Sequence, residues 1–102
     1  MSKLVKEIAG LCYSLDKLYY SEKDPKQKKD VEKNFKILSG LLSKAIKHQF
    51  DENDLLYKED VKKIRKVTRD IRKRKNGLYK FERLISNIVK ITDQLDFILS
   101  KD

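Results

Sequence analysis

The chain has 102 residues, of which 25 are basic and 16 acidic, for a formal net charge of +9 at pH 7. This length fits one domain with a single hydrophobic core. Three glycines and one proline argue against a fold of many short strands, and a single cysteine excludes an internal disulfide. No apolar run approaches the roughly 20 residues that cross a bilayer, and the N-terminus lacks a signal-peptide block, so we expect a cytoplasmic protein.

The first half of the chain carries the pattern of two amphipathic helices. Apolar residues recur at steps of three and four, which predicts a helix over about residues 2–21. Asp24 followed by Pro25 is typical of an N-cap with proline in the first turn, and predicts a second helix over about 25–48. Gly40 falls inside this helix, where we expect the close approach of a neighbouring helix.

The second half of the chain also carries the pattern of two amphipathic helices. A third helix is predicted over about 53–75, with a thin apolar stripe and either Asp51 or Asn53 as its N-cap. Gly77 supplies the left-handed residue that ends it. The segment from about 78 to 100 is the most hydrophobic of the four, and we expect it to be the central helix of the core.

Four helices of about 20 residues, each about 30 Å long and joined by short connections, predict the fold. The fold class is all-α, and the architecture is an antiparallel up-down-up-down four-helix bundle that occupies residues 1–102 as a single domain. In this topology the connection between the first two helices lies at the same end as the end of the third.

The net charge is a local feature. Residues 62–83 contain eleven basic residues against Asp70 and Glu82, which accounts for the whole of the +9, and all five arginines lie between Arg65 and Arg83. Such a stretch attracts an anionic partner, and arginine favours specific contacts over mere solvation. The alternative is that these residues form the solvated back of an amphipathic helix, partly paired with Glu59 and Asp70. A face built only for solubility normally mixes both signs, which favours the binding interpretation.

The residues offer little catalytic chemistry. His48 is the single histidine and has no partner at metal-ligand spacing, so we expect a capping or exposed role and no metal. Cys12 lies in the apolar stripe of the first helix and is predicted to be a buried hydrophobe. The glycines are isolated, so no phosphate-binding loop is predicted. We therefore expect no cofactor and no enzymatic activity.

Size, strong basicity, the four-helix layout and the Lys23-Asp24-Pro25-Lys26 start of the second helix resemble a known family. The chain is similar to the pediocin-like (class IIa) bacteriocin immunity proteins, in particular the enterocin A immunity family. The resemblance implies a bundle that acts by binding from inside the cell. Its partner would be the mannose phosphotransferase permease engaged by bacteriocin, with specificity in the C-terminal half.

The candidate partner-binding residues are six cations and one aromatic side chain of the basic stretch: Arg65, Arg69, Arg72, Lys73, Arg74, Lys75 and Tyr79. They would steer the protein to a receptor complex at the inner face of the membrane, where contact with anionic lipid is also expected. Tyr79 is the candidate aromatic anchor, whereas Phe81 is predicted to lie in the core.

Two alternatives remain open. A nucleic-acid-binding regulatory module would use the same patch on phosphates, although no recognition motif accompanies it. A helical adaptor would use exposed Leu84 and Leu99 of the fourth helix as a dimer seam, so that the protein would be a monomer or a weak dimer.

Overall fold

The computed structural model describes residues 2–48, 53–77 and 79–100. They form four α-helices: α1 (Lys3–Ser21), α2 (Pro25–Lys47), α3 (Leu55–Lys75) and α4 (Phe81–Leu99). Within these described ranges there is no strand. The all-α prediction is confirmed, and each helix lies inside the range expected from its apolar periodicity.

Short polar side chains define the starts of the first two helices. Ser2 Oγ accepts a hydrogen bond from the Val5 N–H at 3.2 Å. Asp24 Oδ1 accepts one from the Lys26 N–H at 2.9 Å, and Pro25 occupies the first turn of α2 as predicted. Each bond satisfies a backbone donor that has no partner inside the helix.

The start of α3 differs from the prediction. Asp54 Oδ1 accepts a hydrogen bond from the Leu56 N–H at 2.8 Å, so Asp54 is the N-cap. Asn53 lies one position too early to make this contact, and Asp51 lies outside the described residues. At the other end, Gly77 has a φ of 76° and follows the C-cap Asn76, which confirms the predicted stop signal.

The helices occupy the corners of a square. α1 packs against α2 and α3, and α4 packs against the same two helices. Across the diagonals, α1 with α4 and α2 with α3, no Cα atoms of the described residues come within 8 Å of each other. Arg74 near the end of α3 contacts Glu22 at the end of α1 and Gln27 at the start of α2, so the directions alternate along the chain. The up-down-up-down bundle is therefore confirmed, with α2 and α3 on one diagonal and α1 and α4 on the other.

Aliphatic side chains from all four helices fill the interior. The largest completely buried ones include Leu4, Ile8, Leu11, Leu15, Leu18, Val31, Leu38, Ile64, Leu84, Ile88 and Leu95. Because every helix presents one side to this core and contacts two neighbours, the expectation that the fourth helix would be central is wrong.

Two further predictions about packing are corrected. Leu84 and Leu99 are buried, because the inward face of α4 runs through residues 84, 88, 91 and 95; the proposed dimer seam therefore loses its residues. Gly40 is exposed, and a Cβ built on it would meet nothing within 4 Å, so no neighbouring helix approaches it closely. Phe81 is buried, as predicted.

Candidate functional site

The outer side and the last turn of α3 carry exposed cations, which we name the basic surface. It comprises Lys62, Lys66, Arg69, Arg72, Lys73 and Lys75. Steps of four, three and four place Lys62, Lys66, Arg69 and Lys73 on one stripe about 17 Å long, and Arg72 and Lys75 lie off this stripe near the end of the helix. Within the described part of the chain, none of these six side chains forms a salt bridge. Their charges are therefore uncompensated by close ion pairs, and their field extends about 10 Å into solvent at moderate salt.

Among the described residues Asp70 forms no salt bridge with this surface, although Lys66 borders the compartment that Asp70 lines. Its side chain is only 3% exposed and lies inside, towards α4. Glu59 is exposed but belongs to the N-terminal half of α3, before the basic surface begins. The imbalance of charge on the outer side of α3 is thus a property of the folded protein as well as of the sequence.

Arg65 joins α3 to α1. Its Nε donates to Glu7 Oε1 at 2.7 Å, and the Arg65 side chain remains 48% exposed. A half-exposed pair of this kind adds at most about 1 kcal/mol to stability. Arg65 can therefore exchange Glu7 for an external partner at small cost.

Arg74 is placed differently from the other predicted partner-binding residues. Its Nη2 donates to Glu22 Oε1 at 2.8 Å and its Nη1 to the Tyr79 carbonyl oxygen at 3.2 Å. Its guanidinium carbon also lies 5.5 Å from the ring centroid of Phe81. Only a quarter of the Arg74 side chain is exposed, and Glu22 is buried. These contacts tie the ends of α1 and α3 to the beginning of α4.

Tyr79 is half-buried against the core, between α3 and α4. Its hydroxyl oxygen accepts a hydrogen bond from Asn87 Nδ2 at 3.0 Å. The Arg83 guanidinium carbon lies 5.7 Å from its ring centroid, within the range of a cation–π contact. The fold therefore holds this ring beside Arg83 and leaves only part of it open to a partner.

More lysines converge on the same end of the bundle. The residues that precede and begin α2 include exposed Lys23, Lys26 and Lys29, and exposed Lys80 caps α4. Arg74 contacts Gln27 at 3.3 Å, which places the start of α2 beside the end of α3. The end predicted to be basic therefore gathers cations from three separate segments.

Sequence reasoning missed two buried acids on α3. Asp60 is 4% exposed and Asp70 is 3% exposed, and the Oδ2 atom of each has no hydrogen-bond partner among the described residues. A signal was present for Asp60, because residues 57, 60, 64, 67 and 71 follow the three-four spacing of a buried helix face. A stripe defined by apolar residues alone does not include an aspartate, so the periodicity did not reveal it.

Both acids line a groove between α3 and α4. The Asp60 compartment has a volume of about 310 Å³, and the Asp70 compartment about 180 Å³. Lys63 and Gln94 border both, and Lys63 Nζ donates to Gln94 Oε1 at 3.3 Å between them. Burial raises the pKa of the Asp60 carboxyl; Lys63 opposes this shift, and the acids Glu59 and Asp54 reinforce it.

Cys12 and His48, the remaining reactive side chains, lie in the core and at a helix end respectively. Cys12 is buried, as predicted, and burial raises the pKa of its thiol against a weaker opposing hydrogen bond with Ser39. His48 is the C-cap of α2, and its N–H donates to the Ala45 carbonyl at 3.2 Å. Among the described residues, no three metal-ligating side chains lie together in a way that could hold an ion.

These features define the class of protein: an all-α four-helix bundle with a strongly basic end and an uncompensated basic surface on α3. None of the described helices combines the length and apolar character needed to cross a bilayer. Comparison of the chain with protein-family models, with curated proteins and with solved structures gives no match.

Proposed function

We propose that this protein is a bacteriocin immunity protein that acts by binding. The observation that carries the proposal is the group of six exposed cations on α3, none of which is held in a salt bridge within the described residues. Arginine and lysine without internal partners are available to a partner of opposite charge. The sequence resemblance to the enterocin A immunity family supplies the class of partner.

In this proposal the basic surface docks on the cytoplasmic side of the mannose phosphotransferase permease when bacteriocin has engaged it. Arg69, Arg72, Lys73 and Lys75 make the first contacts, because they are exposed and lie nearest the basic end. Their charge steers the protein towards the anionic inner face of the membrane and increases the rate of encounter. Protection follows because the bound complex no longer leaks.

Arg65, Arg74 and Tyr79 have secondary roles in this binding. Arg65 joins the contact by releasing Glu7. Arg74 holds the ends of three helices in place and so positions its exposed neighbours. Tyr79 offers the accessible part of its ring at the edge of the surface. Binding energy concentrates on a few such residues in most protein interfaces.

The test is a sensitivity assay in a bacteriocin-sensitive host that carries the permease. We expect cells that express the chain to survive one or a few members of a panel of pediocin-like bacteriocins. The variant R69Q/R72Q/K73Q/K75Q should return the cells to the sensitivity of cells without the protein. Its circular dichroism spectrum should keep the helix content of the wild type, because all four side chains are exposed.

A matched control removes the same number of charges elsewhere. The variant K3Q/K6Q/K33Q/K44Q alters four exposed lysines of α1 and α2 and leaves the basic surface intact. It should protect as well as the wild type. If the first variant still protects fully, the basic surface is only a solvated face. If the wild type protects against no member of the panel, a salt-dependent test of nucleic-acid binding becomes the next experiment.

A further inference from the structure

The Asp60 carboxylate is a buried acid without a complete set of partners. The residue is 4% exposed and lines the groove between α3 and α4, and its buried Oδ2 atom has no hydrogen-bond partner among the described residues. Removing a carboxylate from water is costly unless hydrogen bonds or an opposite charge replace the water. The site therefore has an unmet requirement for a cationic donor.

The surroundings of Asp60 reinforce this requirement. Glu59 and Asp93 line the same compartment, from α3 and α4 respectively, so three acids face it. Among the described lining residues Lys63 is the one cation, and its Nζ donates to Gln94 across the groove at 3.3 Å. The balance of charge in this compartment is therefore negative, in a protein that is otherwise strongly basic.

The walls of the compartment are apolar. Leu56 and Ile98 line it together with Phe97, whose side chain is 60% exposed. The volume of about 310 Å³ is at the lower limit of small-molecule pockets, which suits a single long side chain. Arginine matches both halves of the site, because its aliphatic stem packs on apolar walls and its planar head donates to carboxylates.

The neighbouring Asp70 compartment provides a contrast. Asp70 is equally buried, but Lys63, Lys66 and Lys90 border its compartment, and the volume is only about 180 Å³. Three lysines already supply positive charge there, so a cationic ligand gains little. The two compartments thus differ in the sign of their lining charge, although each is built around one buried aspartate.

We propose that the Asp60 compartment is a docking site for an arginine side chain presented by a partner protein. The guanidinium pairs with the Asp60 carboxylate and is flanked by Glu59 and Asp93, while the stem of the arginine packs against Leu56 and Ile98. This site lies on the groove side of α3 and is distinct from the basic surface. It does not depend on the proposed function.

The binding test uses the ¹⁵N-labelled full chain and the tripeptide acetyl-Leu-Arg-Leu-amide. We expect saturable chemical-shift changes centred on the amides of residues 56–63 and 93–98. The citrulline analogue of the peptide, in which a neutral urea replaces the guanidinium, should not produce them. The D60N variant should weaken binding about tenfold or more, since a buried charge pair is lost.

The D70N variant is the matched control, because it neutralises an equally buried acid on the same helix. It should leave binding of the arginine peptide unchanged. The proposal is overturned if no saturable shifts occur around Asp60, if the citrulline peptide binds equally well, or if D60N retains the wild-type affinity.

A second measurement needs no ligand. Because D60N removes a buried charge whose Oδ2 atom lacks a hydrogen-bond partner among the described residues, it should raise the Tm by several degrees. A lower Tm would mean that side chains of this chain already satisfy the carboxylate, which contradicts the proposal. Sedimentation of the wild type tests whether the arginine comes from a second copy of this chain. Self-association that D60N abolishes would assign the arginine to that copy and would overturn docking of a foreign partner.

Discussion

At the scale of single residues, burial has opposite consequences for Glu22 and Asp60. Both are acids with less than a tenth of their surface exposed. Glu22 receives the Arg74 guanidinium at 2.8 Å, whereas Asp60 retains an oxygen without a hydrogen-bond partner in the described ranges. Burial stabilises the folded protein only where the lost water is replaced. The first acid therefore supports the fold, and the second is retained at a cost to stability.

The raised pKa of Asp60 predicts how stability depends on pH. The folded protein binds this proton more tightly than the unfolded chain does, so the stabilisation due to protonated Asp60 is present at low pH. It is lost as the pH rises through the raised folded-state pKa. The charges that act on Asp60 are Lys63, Glu59 and Asp54 of its own helix region, with Asp93 facing it from α4.

We therefore expect D60N to exceed the wild type in free energy of unfolding by about 1–3 kcal/mol at pH 7, because the neutral amide costs less to remove from water than the charged carboxylate. The difference should close as the pH falls to about 3.5, below the ordinary pKa of an aspartate. Urea unfolding of both proteins between pH 3.5 and 7.5 measures it. A constant difference across this range would show that ionisation of Asp60 does not affect stability. D16N, at an exposed position of α1 outside this compartment, serves as the control.

At the scale of helices, local signals account for most of the boundaries. Asp24 with Pro25 begins α2, and Gly77 with its positive φ follows α3, because these residues satisfy backbone geometry without help from distant parts of the chain. The choice of Asp54 as the cap of α3 was missed among several candidate acids and amides. Which of them is the cap depends on where the first turn of α3 meets its neighbours, and this is a tertiary constraint.

The two glycines Gly40 and Gly77 predict opposite responses to alanine. Gly40 lies inside α2, is exposed and has open space where an alanine methyl group would lie, so G40A should stabilise the protein by about 1 kcal/mol. Gly77 has a φ of 76°, which costs an L-residue about 1–2 kcal/mol, so G77A should destabilise it by a similar amount. Urea unfolding at neutral pH checks both. Destabilisation by G40A would revive the idea of a close helix contact at that position.

At the scale of the whole molecule, one buried ion pair connects segments that are far apart in the sequence. Arg74 and Glu22 lie 52 residues apart, and Arg74 also reaches Gln27 and the Tyr79 carbonyl. The pair therefore joins all four helices, or the residues that flank them, at the basic end of the bundle. It also keeps the ends of α1 and α3 side by side, as their parallel directions require.

Breaking this pair should cost much more than breaking a surface pair. R74Q leaves Glu22 buried without its counter-charge and should lower the free energy of unfolding by about 3 kcal/mol. The double variant R74Q/E22Q should recover part of this loss, because no charge is then stranded. R65Q is the control, since its pair with Glu7 is half-exposed and should be worth less than about 1 kcal/mol. Equal losses for R74Q and R65Q would mean that burial of the pair has no energetic weight.

The sequence alone determined the helical class, the order and approximate bounds of the helices, and the location of the net charge in residues 62–83. These depend on local periodicity, capping chemistry and composition, which act within a few residues. The tertiary structure decided which side of α4 is buried and which helices lie on the diagonals. It also placed Asp60 and Asp70 in a groove and paired Arg74 with Glu22. Those outcomes depend on rotations of whole helices about their axes, and these rotations are set by contacts between residues distant in the chain.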